Sequence, residues 1–356
     1  MSMLLYSLSW RDLLGGSSRR LGGFDAPGDY AVLEFPPNSR HYHTVRGSVR
    51  NAAKGAHIRE VLKTHGADTS RLSFVELDLM QDAGWDEAMD GVDYLLHTAS
   101  PFVTTSPKDP DEIIKPALEG TRRALNAALR ANVKRIVLTS SMVAACHGHE
   151  KYRTAPYTEA DWTNPSGKDV TPYILSKTLA EQEAWKIMEA AARRDDLTVI
   201  NPGFILGPLL EQDIGTSGAI IKRLMKGELP GCPRIYFSIV DVRDAAELHL
   251  LAMHDSATFG RRVFAAGPSI EFVDVAKTLA DEFPAHAKKI PTRRLPDIIV
   301  RLVALFDGDV KSAAMNLGRQ HHMDISLAEP LLGRPLTDIN EAIRSMGQSL
   351  IDLGQV

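Results

Sequence analysis

Short apolar runs alternate with longer stretches of helical periodicity along most of the chain, and this alternation limits the folds that it can adopt. The apolar runs have the length and composition of buried strands. They are Thr44–Val49, Leu72–Leu79, Val92–His97, Val133–Ser141 and Leu197–Ile205. Strands that alternate with helices in this way form a mainly parallel sheet with helices on both faces. The pattern therefore predicts an α/β fold with a doubly wound, Rossmann-like parallel sheet.

A longer helix is predicted to begin in the segment Thr171-Pro-Tyr-Ile-Leu-Ser-Lys177 and to continue for about five turns. Tyr173 and Lys177 are four residues apart, so they would share one helix face. An ammonium beside a phenol stabilises the phenolate, and we expect Lys177 to lower the pKa of Tyr173 from about 10 in free tyrosine. Such a tyrosine can exchange a proton near neutral pH. The same spacing also occurs where both side chains are simply solvated, so it does not decide the function alone.

Hydroxyl side chains end the run Val133–Ser141, in the sequence Leu138-Thr-Ser-Ser141. In open α/β sheets, ligands bind beyond the carboxyl ends of the strands. We therefore expect Ser141 to lie at a ligand site.

Five motifs occur in an order that resembles the extended short-chain dehydrogenase/reductases, within them the group of dihydroflavonol reductases, cinnamoyl-CoA reductases and fungal aldehyde and ketone reductases. The motifs are His97-Thr-Ala-Ser-Pro101, Leu138-Thr-Ser-Ser141, Tyr173-x-x-x-Lys177, Asn201-Pro-Gly-Phe-Ile-Leu-Gly-Pro208 and Asp241-Val-Arg-Asp244. The resemblance extends from about Thr44 to the C-terminus. It implies an NADPH-dependent carbonyl reductase whose catalytic residues are Ser141, Tyr173 and Lys177. Tyr173 would donate a proton to the alkoxide, Ser141 would hold the carbonyl oxygen, and Lys177 would bind the nicotinamide ribose.

The resemblance also implies cofactor contacts. Arg50 and Lys54 match a basic pair that accommodates the 2′-phosphate of NADP(H), where NAD-specific folds have an acidic residue. The adenine-contacting pair corresponds to Asp78 and Leu79, although Asp78 could equally cap a helix. The other matches are Thr98, Ala99 and Ser100 after the fourth run, Tyr173 and Lys177 at the ribose, and Pro202, Gly203, Phe204 and Ile205 at the nicotinamide. Ser217 matches a serine near the cofactor, but it could also be a loop residue without a role.

The first 43 residues depart from this pattern. A dinucleotide-binding domain opens with an apolar strand, a glycine-rich turn and a helix. The segment Met3-Leu-Leu-Tyr-Ser-Leu-Ser9 could form the strand, but the glycines at 15, 16, 22, 23 and 28 have the wrong intervals for the turn. Counting back from the later motifs puts the turn near Asp25–Ala31, and Pro36 and Pro37 would break the helix that follows. We interpret this segment as an altered reading frame or a divergent N-terminus, which leaves diphosphate binding open.

Charge and composition exclude other classes. The chain has 41 basic and 45 acidic residues and a formal charge of −4, without basic clusters, so a nucleic-acid partner is not indicated. Its apolar runs are too short to cross a membrane and its start lacks a signal-peptide pattern, which predicts no membrane partner and a cytoplasmic location. Cys146 and Cys232 are far apart in sequence, and we expect two free thiols.

The segment His147-Gly-His149-Glu150 could suggest a metal site, because two histidines and an acid lie close together. It offers no third ligand motif, and the family that the chain resembles needs no metal. We therefore expect structural or solvent-facing histidines and no metal.

The alternation loosens near residue 209. We predict an NADP-binding domain of residues 1–208 with 238–264, and a substrate-binding lobe of residues 209–237 with 265–356. The apolar segment Leu295–Phe306 resembles a membrane-surface helix, but Asp297 and Arg301 within it favour a helix packed into the lobe. Because the lobe has few polar groups, we expect a partly apolar carbonyl substrate. The protein would be a monomer or a homodimer.

Two alternative functions remain. Sugar-nucleotide epimerases or dehydratases and hydroxysteroid dehydrogenases share the serine, tyrosine and lysine, although Arg50 and Lys54 favour the reductase group. A non-catalytic binding protein that lacks the cofactor is the alternative from another class, and the missing glycine turn is the reason to consider it.

Overall fold

The computed structural model describes residues 2–6, 43–99, 109–151, 153–306 and 308–356, and for residues 2–6, 308, 309 and 312 it describes the backbone. The glycines of the N-terminal segment, the region near Asp25–Ala31 and Ser100 lie outside the described residues.

Ten strands and eleven helices form in the described part of the chain. The strands are β1 (Ser2–Tyr6), β2 (Thr44–Val49), β3 (Leu72–Glu76), β4 (Tyr94–His97), β5 (Arg135–Thr139), β6 (Leu197–Pro202), β7 (Phe204–Leu206), β8 (Tyr236–Asp241), β9 (Arg262–Ala265) and β10 (Ser269–Glu271). The helices are α1 (Ala52–Thr64), α2 (Trp85–Met89), α3 (Asp111–Arg130), α4 (Pro172–Ala190), α5 (Gly215–Lys226), α6 (Val242–Ala252), α7 (Phe272–Glu282), α8 (Asp297–Val303), α9 (Gly308–Met315), α10 (Ala328–Leu332) and α11 (Ile339–Asp352).

Seven of the described strands form one parallel sheet in the order β3-β2-β1-β4-β5-β6-β9. Strand β1 lies inside it between β2 and β4, with Tyr6 opposite Ser48 on one side and His97 on the other. This confirms a strand in the segment Met3–Ser9. The strand order reverses between β1 and β4, and a dinucleotide binds beyond the carboxyl ends at such a reversal. The predicted α/β class and the doubly wound parallel sheet are confirmed.

Apolar side chains on alternating strand positions build a core on each face of this sheet. In β4, for example, Leu96 belongs to a cluster with α1, α6 and α10, whereas its neighbour Leu95 belongs to a cluster with α2, α3 and α4. Successive side chains of a strand point to opposite faces, so the two clusters lie on opposite sides of the sheet. Near-continuous apolar strands are the consequence, and they explain why the sequence predicted these strands well.

A second, smaller sheet has the order β10-β8-β7 among the described strands. Strand β8 pairs in parallel with β7 and antiparallel with β10. Helices α5, α7 and α11 pack around it through a third apolar cluster that includes Ile221, Leu279 and Ile343. This cluster forms the core of the lobe that the loosened sequence pattern predicted after residue 209.

The prediction of a single strand over Leu197–Ile205 is wrong, because the run divides at Gly203. Residues 197–202 belong to the large sheet, and residues 204–206 belong to the small one. A side chain at Gly203 would bring its Cβ to 2.0 Å from the carbonyl oxygen of Ser238, so the strand can leave the large sheet here only without a side chain. The division into two domains stays a prediction. Its boundaries place β7 with the large sheet and divide β8 after Phe237, although both strands lie in the small sheet.

The predicted packing of the segment Leu295–Phe306 is wrong for most of its apolar side chains. Helix α8 covers seven of these residues and buries Val300. The large apolar side chains that stay exposed are Ile298, Ile299, Leu302, Val303, Leu305 and Phe306. A helix of two turns can bury only one narrow row of side chains against the protein. Most of the apolar side chains of such a short helix therefore point to solvent.

Among the described helices, none has the length and hydropathy that a bilayer-spanning segment requires. Both cysteines are free, as predicted, and the structure shows that both are buried.

Candidate active site

The carboxyl ends of β4, β5 and β6 meet at one edge of the large sheet. His97 ends β4 and lies opposite Leu138 of β5. At the same edge, Ser140 follows β5 and donates its backbone N–H to the carbonyl of Ile200 in the neighbouring strand β6. Ser141 follows directly. The structure therefore places the predicted serine beyond a strand end, next to the point where the strand order reverses.

Helix α4 carries the phenol and the ammonium to this edge. Thr171 begins it as an extended N-cap whose Oγ1 accepts a hydrogen bond from the N–H of Ile174 at 3.3 Å. Pro172 takes the first helical position, where its missing N–H costs nothing. The helix has 19 residues, which confirms the predicted five turns, and both Tyr173 and Lys177 are partly buried.

The charge of Lys177 acts on the end of β4. His97 is 1 % exposed, and burial together with the positive charge of Lys177 lowers the pKa of His97 to about 4. The imidazole is therefore neutral at pH 7. Lys177 is thus close enough to the end of β4 for its charge to act on His97.

The hydroxyl of Ser141 is held weakly, whereas its backbone is held firmly. Its Oγ accepts from the N–H of Val143 at 3.4 Å and donates to the carbonyl of Pro202 at 3.5 Å, both long for hydrogen bonds. By contrast, the side-chain amide of Asn201 donates to the carbonyl oxygen of Ser141 at 3.1 Å. A fixed backbone with a loosely bonded hydroxyl leaves that hydroxyl able to bond another oxygen.

A buried carboxylate one turn beyond Lys177 sets the orientation of α4. Glu181 is 1 % exposed and accepts hydrogen bonds from Ser140 at 2.5 Å and from the amide of Asn201 at 2.7 Å. Its other strong partner is Arg262 in β9, whose Nε lies 2.6 Å from Oε1. Since 173, 177 and 181 are successive i, i+4 positions, Glu181 anchors the same side of the helix that carries Tyr173 and Lys177.

Arg262 is also surrounded by acceptors and aromatic rings. Its Nη1 donates to the carbonyls of Asp161 at 2.5 Å and Glu159 at 3.1 Å. The guanidinium lies 4.1 Å from the ring centroid of Trp162. Sequence analysis singled out neither Glu181 nor Arg262. The available signal was the position of Glu181, four residues after Lys177.

A second polar contact supports the end of β5. His249 of α6 donates from Nδ1 to the carbonyl of Ala245 at 2.6 Å, so its Nε2 accepts a hydrogen bond from the hydroxyl of Thr139 at 2.6 Å. Burial lowers the pKa of His249 to about 4, which is consistent with this neutral form.

The predicted 2′-phosphate residues lie at the carboxyl end of β2. Arg50 is exposed and immediately follows the strand. Lys54 lies in the first turn of α1, and its Nζ is 3.6 Å from Oε1 of Glu211, which also contacts His57. A phosphate at Lys54 would therefore share the cation with a carboxylate.

The predicted adenine pair lies beyond β3. The Asp78 carboxylate accepts from the N–H of Met80 at 2.8 Å and from the Gln81 amide at 3.3 Å, so it caps a turn. The side chain of Leu79 packs against Gly120 of α3. Thr98 and Ala99 follow β4 and are partly buried, and Ser100 lies outside the described residues.

The predicted nicotinamide residues occupy the crossing between the two sheets. Pro202 ends β6 and Gly203 separates the strands, while Phe204 stacks on Phe237 with centroids 4.4 Å apart. Ile205 is buried in the core of the large sheet. Ser217 is buried in the first turn of α5. The roles of all these cofactor residues stay predictions.

The two histidines of the segment His147–Glu150 make separate hydrogen bonds. His149 Nε2 bonds the carbonyl of Ala145 at 3.0 Å, so the neighbouring histidines do not act together. The side chains of Cys146 and His321 instead lie beside His147, with potential ligand atoms within 4.8 Å of one another. The expectation of structural or solvent-facing histidines without a metal stays a prediction, and the structure adds two potential ligands that the segment itself does not contain. Burial, with the negative charge of Asp169, raises the pKa of Cys146.

The sequence of the chain matches a known protein family. The model of the NAD dependent epimerase/dehydratase family matches residues 38–267, more than half of the chain. The chain belongs to this family.

Relatives within this epimerase/dehydratase family include reductases. The chain is 34% identical to cinnamoyl-CoA reductase 1 of Petunia hybrida over 255 residues, which are 70% of this chain and 73% of the relative. It is 30% identical to tetraketide alpha-pyrone reductase 2 of Arabidopsis thaliana over 249 residues, which are 68% of this chain and 76% of the relative. Among solved structures, yeast methylglyoxal/isovaleraldehyde reductase Gre2 complexed with NADPH superposes with a TM-score of 0.71 at 25% identity, covering 88% of this chain and 93% of that chain. The resemblance to the extended short-chain dehydrogenase/reductases is thereby confirmed.

Among the described residues of this epimerase/dehydratase family member, cationic side chains suitable for a nicotinamide dinucleotide lie on both sides of β1. Arg50 provides an exposed guanidinium at the end of β2, next to β1. Lys177 provides an ammonium near the end of β4, on the other side of β1. Guanidinium and ammonium groups are suitable donors for phosphate and ribose oxygens. The turn that follows β1, which holds the diphosphate in such sheets, lies outside the described residues.

The buried ion pair of this family member can be tested by removing one partner. We expect Arg262→Met to lower the free energy of unfolding by about 3–5 kcal/mol, because Glu181 would stay buried as an uncompensated charge. Urea denaturation of the full chain measures this change. The matched control is Arg261→Met, since Arg261 pairs with Glu159 at the surface with side chains 45 % and 40 % exposed, and about 0–1 kcal/mol is expected there. Similar losses for both variants would contradict the role of the buried pair.

Stability should also depend on pH through His97. The pKa of His97 is about 4 in the folded chain and 6.5 ordinarily, so the unfolded chain binds more protons between these values. Its contribution is complete above pH 6.5 and is lost as the pH falls towards 4, by about 1.4 kcal/mol per pH unit at most. We expect His97→Asn to flatten the pH dependence of unfolding in this window. His322→Asn at an exposed position serves as the control, and an unchanged slope in His97→Asn would refute the prediction.

Proposed function

We propose that the protein is an NADPH-dependent reductase of aldehydes or ketones. The observation that supports the proposal is the buried Glu181–Arg262 pair, which ties α4 to the sheet on the side of the helix that carries Tyr173 and Lys177. A phenol, an ammonium and a hydroxyl gathered at a strand end can polarise a carbonyl and protonate its oxygen.

Each residue has a separate task in this proposal. When bound, NADPH supplies the hydride that the carbonyl carbon accepts. Ser141 donates a hydrogen bond from its loosely held hydroxyl to the carbonyl oxygen, and Tyr173 gives its phenolic proton to that oxygen as negative charge develops. Lys177 stabilises the resulting phenolate and binds the ribose. The proton that Tyr173 loses is recovered from solvent, and the oxidation of an alcohol uses the same groups in reverse.

The proposed substrate is a partly apolar carbonyl compound. Beside the turn that follows Ser141 lies a mainly apolar cluster with Met142, Ala145, Tyr157, Phe264 and Met323. The relatives named above act on cinnamoyl-CoA, on a tetraketide alpha-pyrone and on methylglyoxal or isovaleraldehyde, to judge from their names. We expect isovaleraldehyde to be reduced with a higher kcat/KM than the more polar methylglyoxal. We further propose that the protein is located in the cytoplasm and that it is a monomer or a homodimer.

An NAD-using epimerase or dehydratase is the second candidate. The specific observation in its favour is Glu211, whose carboxylate lies 3.6 Å from Lys54 at the proposed phosphate position. A carboxylate there disfavours a 2′-phosphate and suits a ribose hydroxyl. Comparing NADPH with NADH separates the two candidates, and binding of neither cofactor would favour the non-catalytic binding protein.

The role of Tyr173 is tested by Tyr173→Phe. We expect kcat to fall by a factor of about 10² to 10⁴, the usual contribution of a positioned acid, while the dissociation constant for NADPH stays within a few-fold. Loss of NADPH absorbance with isovaleraldehyde gives the rate, and calorimetry gives the binding. Tyr236→Phe in the small sheet is the control and should retain activity. If Tyr173→Phe turns over within a few-fold of the parent, Tyr173 has no part in proton transfer.

The cofactor preference is tested by Arg50→Ala. A charge-assisted hydrogen bond contributes about 1.5–3 kcal/mol, so the affinity for NADPH should fall about tenfold to a hundredfold while that for NADH changes little. Calorimetry on the full chain gives both dissociation constants.

Two further variants interpret the Arg50 result. Lys63→Ala, at the far end of α1, should leave both affinities unchanged. Glu211→Gln should strengthen NADPH binding, because it releases Lys54 from the carboxylate. Equal losses for both cofactors in Arg50→Ala, or a parent that prefers NADH, would overturn the 2′-phosphate assignment and favour the second candidate.

A further inference from the structure

Three side chains that could bind a metal lie close together beside the segment Met142–His147. This segment begins with a short 3-10 turn over Met142–Ala144, directly after Ser141. Cys146 and His147 end the segment Met142–His147, and His321 comes from the segment between α9 and α10. One potential ligand atom from each lies within 4.8 Å of the other two, and the rings of His147 and His321 have centroids 4.8 Å apart. His321 is 174 positions beyond His147 in sequence (321 − 147 = 174), so the fold alone brings them together.

The hydrogen bonds of this group leave one nitrogen atom of each histidine available as a ligand. His147 Nδ1 bonds the carboxylate of Asp169 at 3.2 Å, which leaves Nε2 as its ligand atom. A carboxylate on the far nitrogen of a histidine is the arrangement that orients metal-bound imidazoles. The Nδ1 atom of His321 is buried and has no hydrogen-bond partner among the described residues. A buried polar atom of this kind is costly unless a ligand satisfies it.

The backbone on both sides of the group is held in place. The N–H of His147 donates to Thr163 Oγ1 at 2.9 Å, and the N–H of Gly148 donates to Asp169 at 3.2 Å. On the other side, the carbonyl of His321 accepts from the hydroxyl of Ser238 at 2.8 Å. These bonds position the ligands before any metal arrives, which lowers the entropic cost of binding.

We propose that Cys146, His147 and His321 bind one zinc ion, with Asp169 orienting His147 and with water at the fourth position. One sulfur and two imidazole nitrogens are a ligand set that zinc accepts in tetrahedral sites. Zinc bonds of about 2.0–2.3 Å at tetrahedral angles separate ligand atoms by about 3.3–3.7 Å. The ligand atoms, now within 4.8 Å of one another, would have to move closer to reach that size. Cys146 binds as a thiolate, and its proton passes to solvent.

The ion joins two parts of the chain that are otherwise linked by hydrogen bonds. Cys146 and His147 belong to the segment Met142–His147, and His321 belongs to the segment that pairs with Tyr157 at Met323. Arg319 lies 3.6 Å from Asp169 and keeps that carboxylate in position rather than binding the metal. The ion would therefore link the segment after Ser141 to the segment between α9 and α10.

Titration of the chelator-treated full chain with Co²⁺, a spectroscopic substitute for Zn²⁺, tests the proposal directly. We expect one ion per chain, a thiolate-to-cobalt charge-transfer band and displacement of the cobalt by zinc. Zinc should also raise the melting temperature, because it binds the folded chain. Absence of the band, or binding of several ions without it, would mean adventitious binding only and would overturn the proposal.

Variants assign the ligands. Cys146→Ser should abolish the charge-transfer band. Asp169→Asn should weaken zinc binding about tenfold to a hundredfold because the orientation of His147 is lost, and His321→Gln should weaken it more, because it removes a direct ligand. The controls are Cys232→Ser, which removes the other buried thiol, and His149→Gln, which removes a neighbouring histidine outside the group. A band that persists in Cys146→Ser, or that disappears in Cys232→Ser, would refute the assignment.

Discussion

The ion pair between Glu181 and Arg262 is the interaction on which the candidate active site depends. Two charges that are 0 % and 4 % exposed have lost their hydration, and their attraction compensates this loss only if the remaining donors and acceptors are also bonded. Here Ser140 and Asn201 complete the shell of the carboxylate, and two backbone carbonyls complete that of the guanidinium. The network therefore connects β5, β6 and β9 to a single position on α4.

One consequence is that the active-site groups are positioned by the sheet rather than by the loops. Rotation of α4 by one residue would move its side chains by about 100°, and Glu181 would then leave its partners. The same rotation would turn Tyr173 and Lys177 away from the strand end. The buried polar contacts of Glu181 thus specify one orientation of α4 about its axis. Apolar packing of α4 on α3 alone would tolerate several orientations. For this chain, the charged pair provides orientation at a cost in desolvation.

Sequence analysis identified the large sheet because its strands are buried on both faces. Thr44–Val49 was predicted with the observed bounds, and α4 was predicted from its N-cap segment onward. The small sheet was not predicted, because the run Leu197–Ile205 is apolar throughout and apolar runs do not indicate which sheet a residue joins. The decisive feature is the close approach of the Ser238 carbonyl in β8 to Gly203. That contact joins residues 35 positions apart (238 − 203 = 35) and leaves no local pattern.

The residues proposed as reacting groups could be predicted from the sequence, whereas the residues that support them could not. Ser141, Tyr173 and Lys177 occur in short motifs, so local spacing identifies them. Glu181 looks like any acidic residue on a helix surface, and its burial follows from a partner 81 positions later, Arg262. Cys146, His147 and His321 meet in the same way. Local periodicity in the sequence indicates which face of a helix or strand is apolar. Buried polar pairs depend on tertiary contacts, so they can be identified only from the folded structure.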